Sequence, residues 1–378
     1  MSLSILIVSY RDLRHPEMGG AEVIIHETYR RLARRGHKVT FLTGAWSGAP
    51  RTDTIDGMDV FHAGSTYTFN RVVPGMWRKL RARGLEFDVM VEDLNKIPFY
   101  GASFQKEVPV LANVPHLFGT TVFREASLPI GLYVYLHERF IPTSYRGCRF
   151  QVLSDTTRDD LVARGIAPDK VHVIRSGIDH AFYRPPVRTS PPGPVILYLG
   201  RLKRYKGIEL AIDAMPRILQ RAPKAVYWIA GAGDFREDLR ERIRAAGLER
   251  CVKLLGYKDG QEKLAVLSDT RVLVYASPKE GWGLSVIEAN AMGIPAVASD
   301  SPGLRESVRH GETGFLVPHG DVPALADRLA ELLCDDALWV RMGQAGIRWA
   351  SRFNWDTMAD ETEDLLQRVV REWHGGRR

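Results

Sequence analysis

The chain has 378 residues, 45% of them hydrophobic and 26% charged, which is the composition of a globular protein long enough for two cores. No apolar run is long enough to span a bilayer as a helix and no tract is of low complexity, so the chain is expected to stay in water. The formal net charge of +7 implies attraction to an anion; 24 Lys+Arg against 19 Asp+Glu fall in residues 1–185, which places most of the excess in the first half.

The first stretch, "MSLSILIVSY", lacks a basic leader and a cleavage site and reads as a buried parallel strand, so an exported protein is not expected. A helix follows over 20–35. Ile24, Ile25, Thr28 and Leu32 form its apolar stripe, and Gly36 is suited to the position just past its end. "HKVTFLTG", "FDVMVEDL" and "VPVLANV" are the next strand-like runs. Between them, residues 71–83 carry five basic residues and no acid, interleaved with Val72, Val73, Met76, Trp77 and Leu80. That pattern suits an amphipathic helix lying on an anionic membrane. A surface helix with a basic outer face fits it as well, with Pro74 and Gly75 interrupting the segment. Glu92 and Asp93 close a strand, where their carboxylates could bind the hydroxyls of a ligand, cap a helix or be solvated at the surface.

"YRPPVRTSPPGP", residues 183–194, holds five prolines and is expected to be an interdomain linker. Beyond it, "PVILYLG", "AVYWIAG", "VKLLG", "RVLVYAS" and "IPAVASD" alternate with helical segments at 207–222 and 234–247. Both halves therefore read as βαβ units with parallel sheets. "WDTMADETEDLLQRVVREW" is acidic at its start and basic at its end, which suits a terminal helix. Cys148, Cys251 and Cys334 lie far apart with no metal-ligand spacing, so a reducing cytoplasm is expected and neither a disulfide framework nor a zinc site is.

Chemistry gathers at the ends of the second-half strands. "GRLKRYKG" puts Arg201 and Lys206 on a strand-to-helix loop, where two cations could neutralise a pyrophosphate or simply be solvated. "AGAGDF" offers Gly231 and Gly233 for close backbone approach, but without the third glycine and ribose acid of a dinucleotide fingerprint. In "SPKEGWGLSVIEANAMG", Gly281 and Gly283 free backbone amides at a helix N-terminus, an anion site. Residues eight apart in a continuous helix lie roughly 12 Å apart along its axis, but Glu280 precedes the helix and Glu288 lies within it. The two carboxylates can meet different parts of one extended ligand such as a sugar nucleotide. A dipole-favoured Glu280 and a Glu288 paired with a basic residue explain the spacing equally.

"EGWGLSVIE" resembles the E-x7-E signature of retaining GT-B glycosyltransferases, and the stretch from "LVYASPKEGWG" to "LVPHGD" resembles glycosyltransferase family 4. "MGGAEVIIHETYRRLARRGHKVTFLTG", "SDTTRDDLVARGIAPDKVHVIRSGID" and "LGRLKRYKGIELAIDAM" resemble other segments of that family, in the same order along the chain.

The resemblance implies an α/β GT-B fold: an acceptor-binding Rossmann-like domain over 1–183, a linker at 184–194 and a nucleotide-sugar-binding Rossmann-like domain over 195–355. The sheets would face a central cleft, and a helix over 356–378 would cross back to the first domain. It implies that Arg201 and Lys206 contact the donor diphosphate, that Glu288 holds the ribose hydroxyls and that Glu280 holds those of the transferred sugar. Amides of Gly281, Trp282, Gly283 and Leu284 would face sugar and phosphate, with Gly231 on the donor side and the main chain at Gly256 and Tyr257 holding the base. From the first domain Gly19 and Gly20 would approach the diphosphate, and His116 would stand near the transferred sugar, the two domains closing on each other about the linker.

The implied reaction is a retaining transfer of a hexose-type sugar, with UDP as the expected carrier, to an unknown acceptor that is a saccharide or lipid-linked. No Asp-x-Asp is present in the sequence, and Arg201 and Lys206 would take the place of a metal, so no metal or other cofactor is expected. A cytoplasmic enzyme is expected, with a peripheral membrane contact through 71–83 and no nucleic-acid partner. A sugar-nucleotide epimerase, a phosphorylase of the same architecture and a basic non-catalytic binding protein remain as alternatives.

Overall fold

The computed structural model describes residues 2–65, 68–95, 97–124, 127–186 and 190–376. The chain forms two compact units, Met1–Gly177 with Trp355–Arg378, and Ile178–Asn354. Each is a sheet flanked by helices.

The strands of the first unit are β1 (Ser4–Ser9), β2 (Lys38–Gly44), β3 (Thr52–Ile55), β4 (Met58–Ala63), β5 (Val89–Asp93), β6 (Val110–Val114), β7 (Arg149–Val152) and β8 (Val171–Val173). They lie in the order β3-β4-β2-β1-β5-β6-β7-β8. All neighbours run parallel except the antiparallel pair β3 and β4. β1 and β5 are buried along nearly their whole length, which is why β1 reads as an apolar run and β5 as one up to its last two residues, Glu92 and Asp93. The β3–β4 hairpin turns at Asp56 and Gly57, with φ of 50° and 80°. An Asp-Gly pair satisfies such a turn, but the polar run "TDTI" of β3 carries no apolar signal of its own.

The helix Phe69–Ala82 corrects the expectation of a membrane-facing segment at 71–83. It runs unbroken through Pro74, and Val73, Trp77 and Leu80 are buried in the unit's core, Trp77 at 3% exposure. Its apolar stripe is already spent on the protein, leaving a basic outer face at Arg71, Arg78 and Lys79. The helix Trp355–Gly375 packs on the helix Gly20–Arg34 of the same unit, burying Met358, Leu365, Leu366, Val369 and Val370. Arg31 reaches Asp356 at 2.9 Å and Arg149 reaches Glu372 at 2.7 Å.

The second unit holds β9 (Val195–Leu199), β10 (Val226–Ala230), β11 (Val252–Gly256), β12 (Val272–Tyr275), β13 (Ala296–Ser299) and β14 (Gly314–Val317), in the order β11-β10-β9-β12-β13-β14 and all parallel. The chain builds outward from β9 to β11, then returns to place β12 against β9. This reversal leaves the loops after β9 and β12 diverging at one edge, where open parallel sheets bind ligands. The stretch expected to be a linker, 184–194, belongs to this unit, with 187–189 outside the described residues. Its anchors are buried Ile178, which bridges to Asn354, and buried Tyr183. The unit boundaries fall instead at 177–178 and 354–355.

Candidate active site

The β9 loop and the β12 loop each deliver one charge to the switch point of the second unit. After β9, Gly200 leads into a short turn, Arg204–Lys206, and a helix over Ile208–Arg221. Tyr198 donates its hydroxyl to the Arg201 carbonyl at 2.8 Å, pinning the loop, while the Arg201 side chain is exposed. Lys206 turns inward and is buried. After β12, residues 276–283 lead to the helix Leu284–Ala291, and Glu280 accepts from Lys206 Nζ at 2.6 and 2.8 Å and from Ser277 Oγ at 2.7 Å. Tyr205 and Tyr275 present their rings to the ammonium, with centroids 4.7 and 5.4 Å away. Burial by itself would lower the Lys206 pKa, but the Glu280 carboxylate and these phenols together hold it above its ordinary value. The result is a fixed cation joined to a fixed carboxylate.

Glu288 sits one turn into the helix Leu284–Ala291 and is also buried. Lys263, from the helix Gly260–Ser268, donates to both its oxygens at 2.9 Å, and the Tyr183 hydroxyl donates to Oε1 at 2.6 Å. Burial first, and then the adjacent carboxylate, pushes the Tyr183 pKa up. The basic partner that a purely structural account asks of Glu288 is therefore present. Neither Lys263 nor Tyr183 carries a sequence signal for this role, because both arrive from elsewhere in the chain. Tyr183 falls in the proline-rich stretch that reads as linker.

The glycines differ in what they permit. Gly283 caps the helix with φ of +86°, and a Cβ there would lie 2.7 Å from Ser307 Oγ. It keeps the helix N-terminus tight against its neighbour, leaving first-turn amides that have no acceptor within the helix. Trp282 is buried against Phe353, ring centroids 5.1 Å apart, so its indole is packing. A Cβ on Gly231 would lie 1.8 Å from the Gly200 carbonyl oxygen, so this glycine serves the approach of the β9 and β10 ends. Its amide donates to the Gly256 carbonyl at 2.7 Å, and Tyr257 beside it is exposed.

In the first unit, Gly19 precedes the helix Gly20–Arg34 and donates its amide to Glu22 Oε2 at 2.8 Å. A side chain at Gly20 would meet nothing within 4 Å. His116 is half-buried, its ring 4.6 Å from that of Phe118. Glu138 steadies the loop after it by accepting from the amides of Phe118 at 2.6 Å and Gly119 at 2.8 Å.

Glu92 and Asp93 do not present themselves to an acceptor. They are 0% and 1% exposed, and as neighbours on β5 they point to opposite faces. Glu92 accepts from the Tyr145 hydroxyl, and Asp93 accepts from Ser9 Oγ at 3.0 Å and Asn113 Nδ2 at 2.9 Å. Burial pushes both carboxyls up to about 7. Their work is internal, because the strand end that looks open in sequence is covered by the segments around Tyr100 and Tyr145 and by Asn113.

Residues 18–182 match the family model "Glycosyltransferase Family 4" and residues 180–349 the model "Glycosyl transferases group 1". Among curated relatives, glycogen synthase of Mycobacterium tuberculosis is 36% identical over 208 residues, 54% of this chain and 50% of its own. Phosphatidyl-myo-inositol mannosyltransferase of Mycobacterium leprae is 37% identical over 182 residues, 47% of each chain. These matches span about half the length of either relative. An uncharacterised glycosyltransferase of Methanocaldococcus jannaschii is 26% identical over 374 residues, 93% of this chain and 94% of its own. The solved sucrose-phosphate synthase of Thermosynechococcus elongatus shares the fold with a TM-score of 0.80 at 22% identity, covering 98% of this chain and 100% of that one. Anabaena HepE in complex with UDP and glucose does so with 0.76 at 20% identity, covering 97% and 99%. With the two family models taking up successive halves of the chain and the same pair of parallel sheets in these solved proteins, the chain belongs to the family 4 glycosyltransferases of the GT-B fold.

Proposed function

We propose that this protein moves a hexose-type sugar from a nucleoside diphosphate sugar to an acceptor hydroxyl, with retention at the anomeric carbon, UDP as the carrier and no divalent metal. The observation that carries the reading is the junction of Lys206 with Glu280 at the β9/β12 switch point, one fixed cation and one fixed carboxylate where a diphosphate sugar would lie. The solved relative in complex with UDP and glucose favours the uridine carrier.

In this reading the bond from the anomeric carbon to the diphosphate breaks as the acceptor oxygen bonds to the same face of that carbon. The acceptor proton passes to the departing phosphate oxygen. Arg201 and Lys206 stabilise the charge that collects on the diphosphate, which is the point where fixed electrostatics lower such a barrier. Glu280 takes hydroxyls of the transferred sugar, Glu288 those of the ribose, and His116 contributes from the first unit.

Thermal shift with UDP-, GDP- and ADP-sugars tests the donor, because a ligand held only by the folded state raises its stability. A shift with a UDP-sugar is expected, and no shift with any of the three would overturn the donor assignment. Proton NMR of the product should show the donor's anomeric configuration. Turnover should survive chelation; its loss, restored by magnesium or manganese, would overturn the metal-free assignment.

A further inference from the structure

Seven of the nine exposed large hydrophobic side chains among the described residues lie in one segment of the first unit: Phe123, Leu128, Ile130, Leu132, Tyr133, Leu136 and Phe140. Five belong to the helix Leu128–Arg139, which inverts the usual arrangement of a surface helix. The inward positions are Gly131, Val134 and Glu138. Leu128, Leu132 and Leu136 form an outward stripe at i, i+4 and i+8, with Ile130 and Tyr133 on adjoining outward positions. Leu128 is 73% exposed and Phe140 57%.

Several of the contacts that hold the helix are polar. Glu138 binds two backbone amides, the Tyr100 hydroxyl meets His137 Nδ1 at 2.5 Å, and the absence of a side chain at Gly131 lets Phe123 pack against the helix. An apolar surface of this extent in a water-facing position marks an interaction site.

We infer that the helix Leu128–Arg139, with Phe123 and Phe140, docks the protein on an anionic lipid bilayer. Charge selects this occupant. Between Phe123 and Arg149 the sequence carries four arginines against two carboxylates, Glu125 and the buried Glu138, and Arg139 and Arg146 are exposed, so the segment offers leucines and aromatics for the acyl boundary and a net positive charge to the headgroups. An isologous contact between two copies would bring these like charges together. The surface differs from the basic outer face of Phe69–Ala82, whose apolar residues are buried.

Co-sedimentation of the full chain with vesicles tests the inference. At low salt it should bind phosphatidylglycerol/phosphatidylcholine vesicles and bind pure phosphatidylcholine far more weakly. Leu132→Ser with Leu136→Ser should reduce the partition coefficient about ten-fold or more. Arg139→Ala with Arg146→Ala should reduce it about 25-fold, at about five-fold for each cation near the surface. All four side chains are exposed, so melting temperatures should stay near that of the parent protein. No binding to anionic vesicles, equal binding to both vesicle types, or binding unchanged in both variants would overturn the proposal. So would a dimer seen by light scattering that Leu132→Ser with Leu136→Ser dissolves, in a protein without vesicle affinity.

Discussion

Lys206 Nζ lies 2.6 Å from Glu280 Oε1, joining the loop after β9 to the loop after β12 through an ion pair whose lysine is buried and whose carboxylate is 13% exposed. Removing one member of such a pair strands the other charge, at a cost of about 3–5 kcal/mol, whereas replacing both with apolar residues of similar size is often nearly neutral. Lys206→Met should therefore unfold at markedly lower urea, and Lys206→Met with Glu280→Leu should recover most of the loss while remaining inactive. A double variant no more stable than the single one would contradict the pairing.

The same pair sets a pH limit. The folded Lys206 pKa is raised, so its contribution is fully present below the unfolded value of 10.5 and is lost as pH rises through the folded value. Urea midpoints should show no loss from this pair between pH 7 and 10 and a decline above that range, absent in the Lys206→Met, Glu280→Leu double variant.

Glu288 is oriented by Lys263 and Tyr183, and this gives the proposed ribose contact a separable test. A hydrogen bond to a charged group is worth about 1.5–3 kcal/mol, so Lys263→Met should weaken UDP binding by roughly ten-fold or more in calorimetry. Tyr183→Phe removes a smaller share. Unchanged affinity in Lys263→Met would separate Glu288 from nucleotide recognition.

Buried Glu92 acts in the opposite direction from a salt-bridged carboxylate. Its folded pKa, pushed up to about 7, exceeds the ordinary 4.5, so the folded state holds the extra proton and stability falls as pH rises from about 4.5 to about 7. Glu92→Gln, which still accepts from Tyr145, should lessen the slope in that part of the urea-stability profile, leaving the share due to Asp93, and raise stability at pH 7.5. A variant less stable than the parent at pH 7.5 would mean that the carboxylate is favoured where it lies.

Trp77 decides between the two accounts of residues 71–83. Trp77→Ala should cost about 3–5 kcal/mol, as for a buried tryptophan, while Arg78→Ala and Lys79→Ala should each stay within about 0.5 kcal/mol. A small effect of Trp77→Ala on the urea midpoint would mean that its ring is not core.

Several elements were legible from residue type alone. Runs such as "ILIVS" and "VILYL" are apolar because parallel strands are buried on both faces, and the stripe Ile24, Ile25, Thr28 and Leu32 is the buried face of a helix. Strands β3, β4, β7, β8 and β14 were less visible, being short or partly polar, so pairing with neighbours rather than composition makes them strands. The segment 71–83 showed its amphipathic pattern plainly, but a sequence cannot tell an apolar stripe facing a core from one facing a lipid.

The α/β class, the order of the sheets along the chain and the residue types at the ends of β9 and β12 can be read from the residues alone, because these depend on local periodicity and ordered motifs. What each charge meets is set by the folded chain. Glu280 meets Lys206 across 74 positions and Glu288 meets Lys263 and Tyr183 across 25 and 105, while Glu92 and Asp93, which looked available, are turned inward. Ion pairs and burial depend on which distant segments the sheet order brings together, and that proximity is written in no single stretch of the chain.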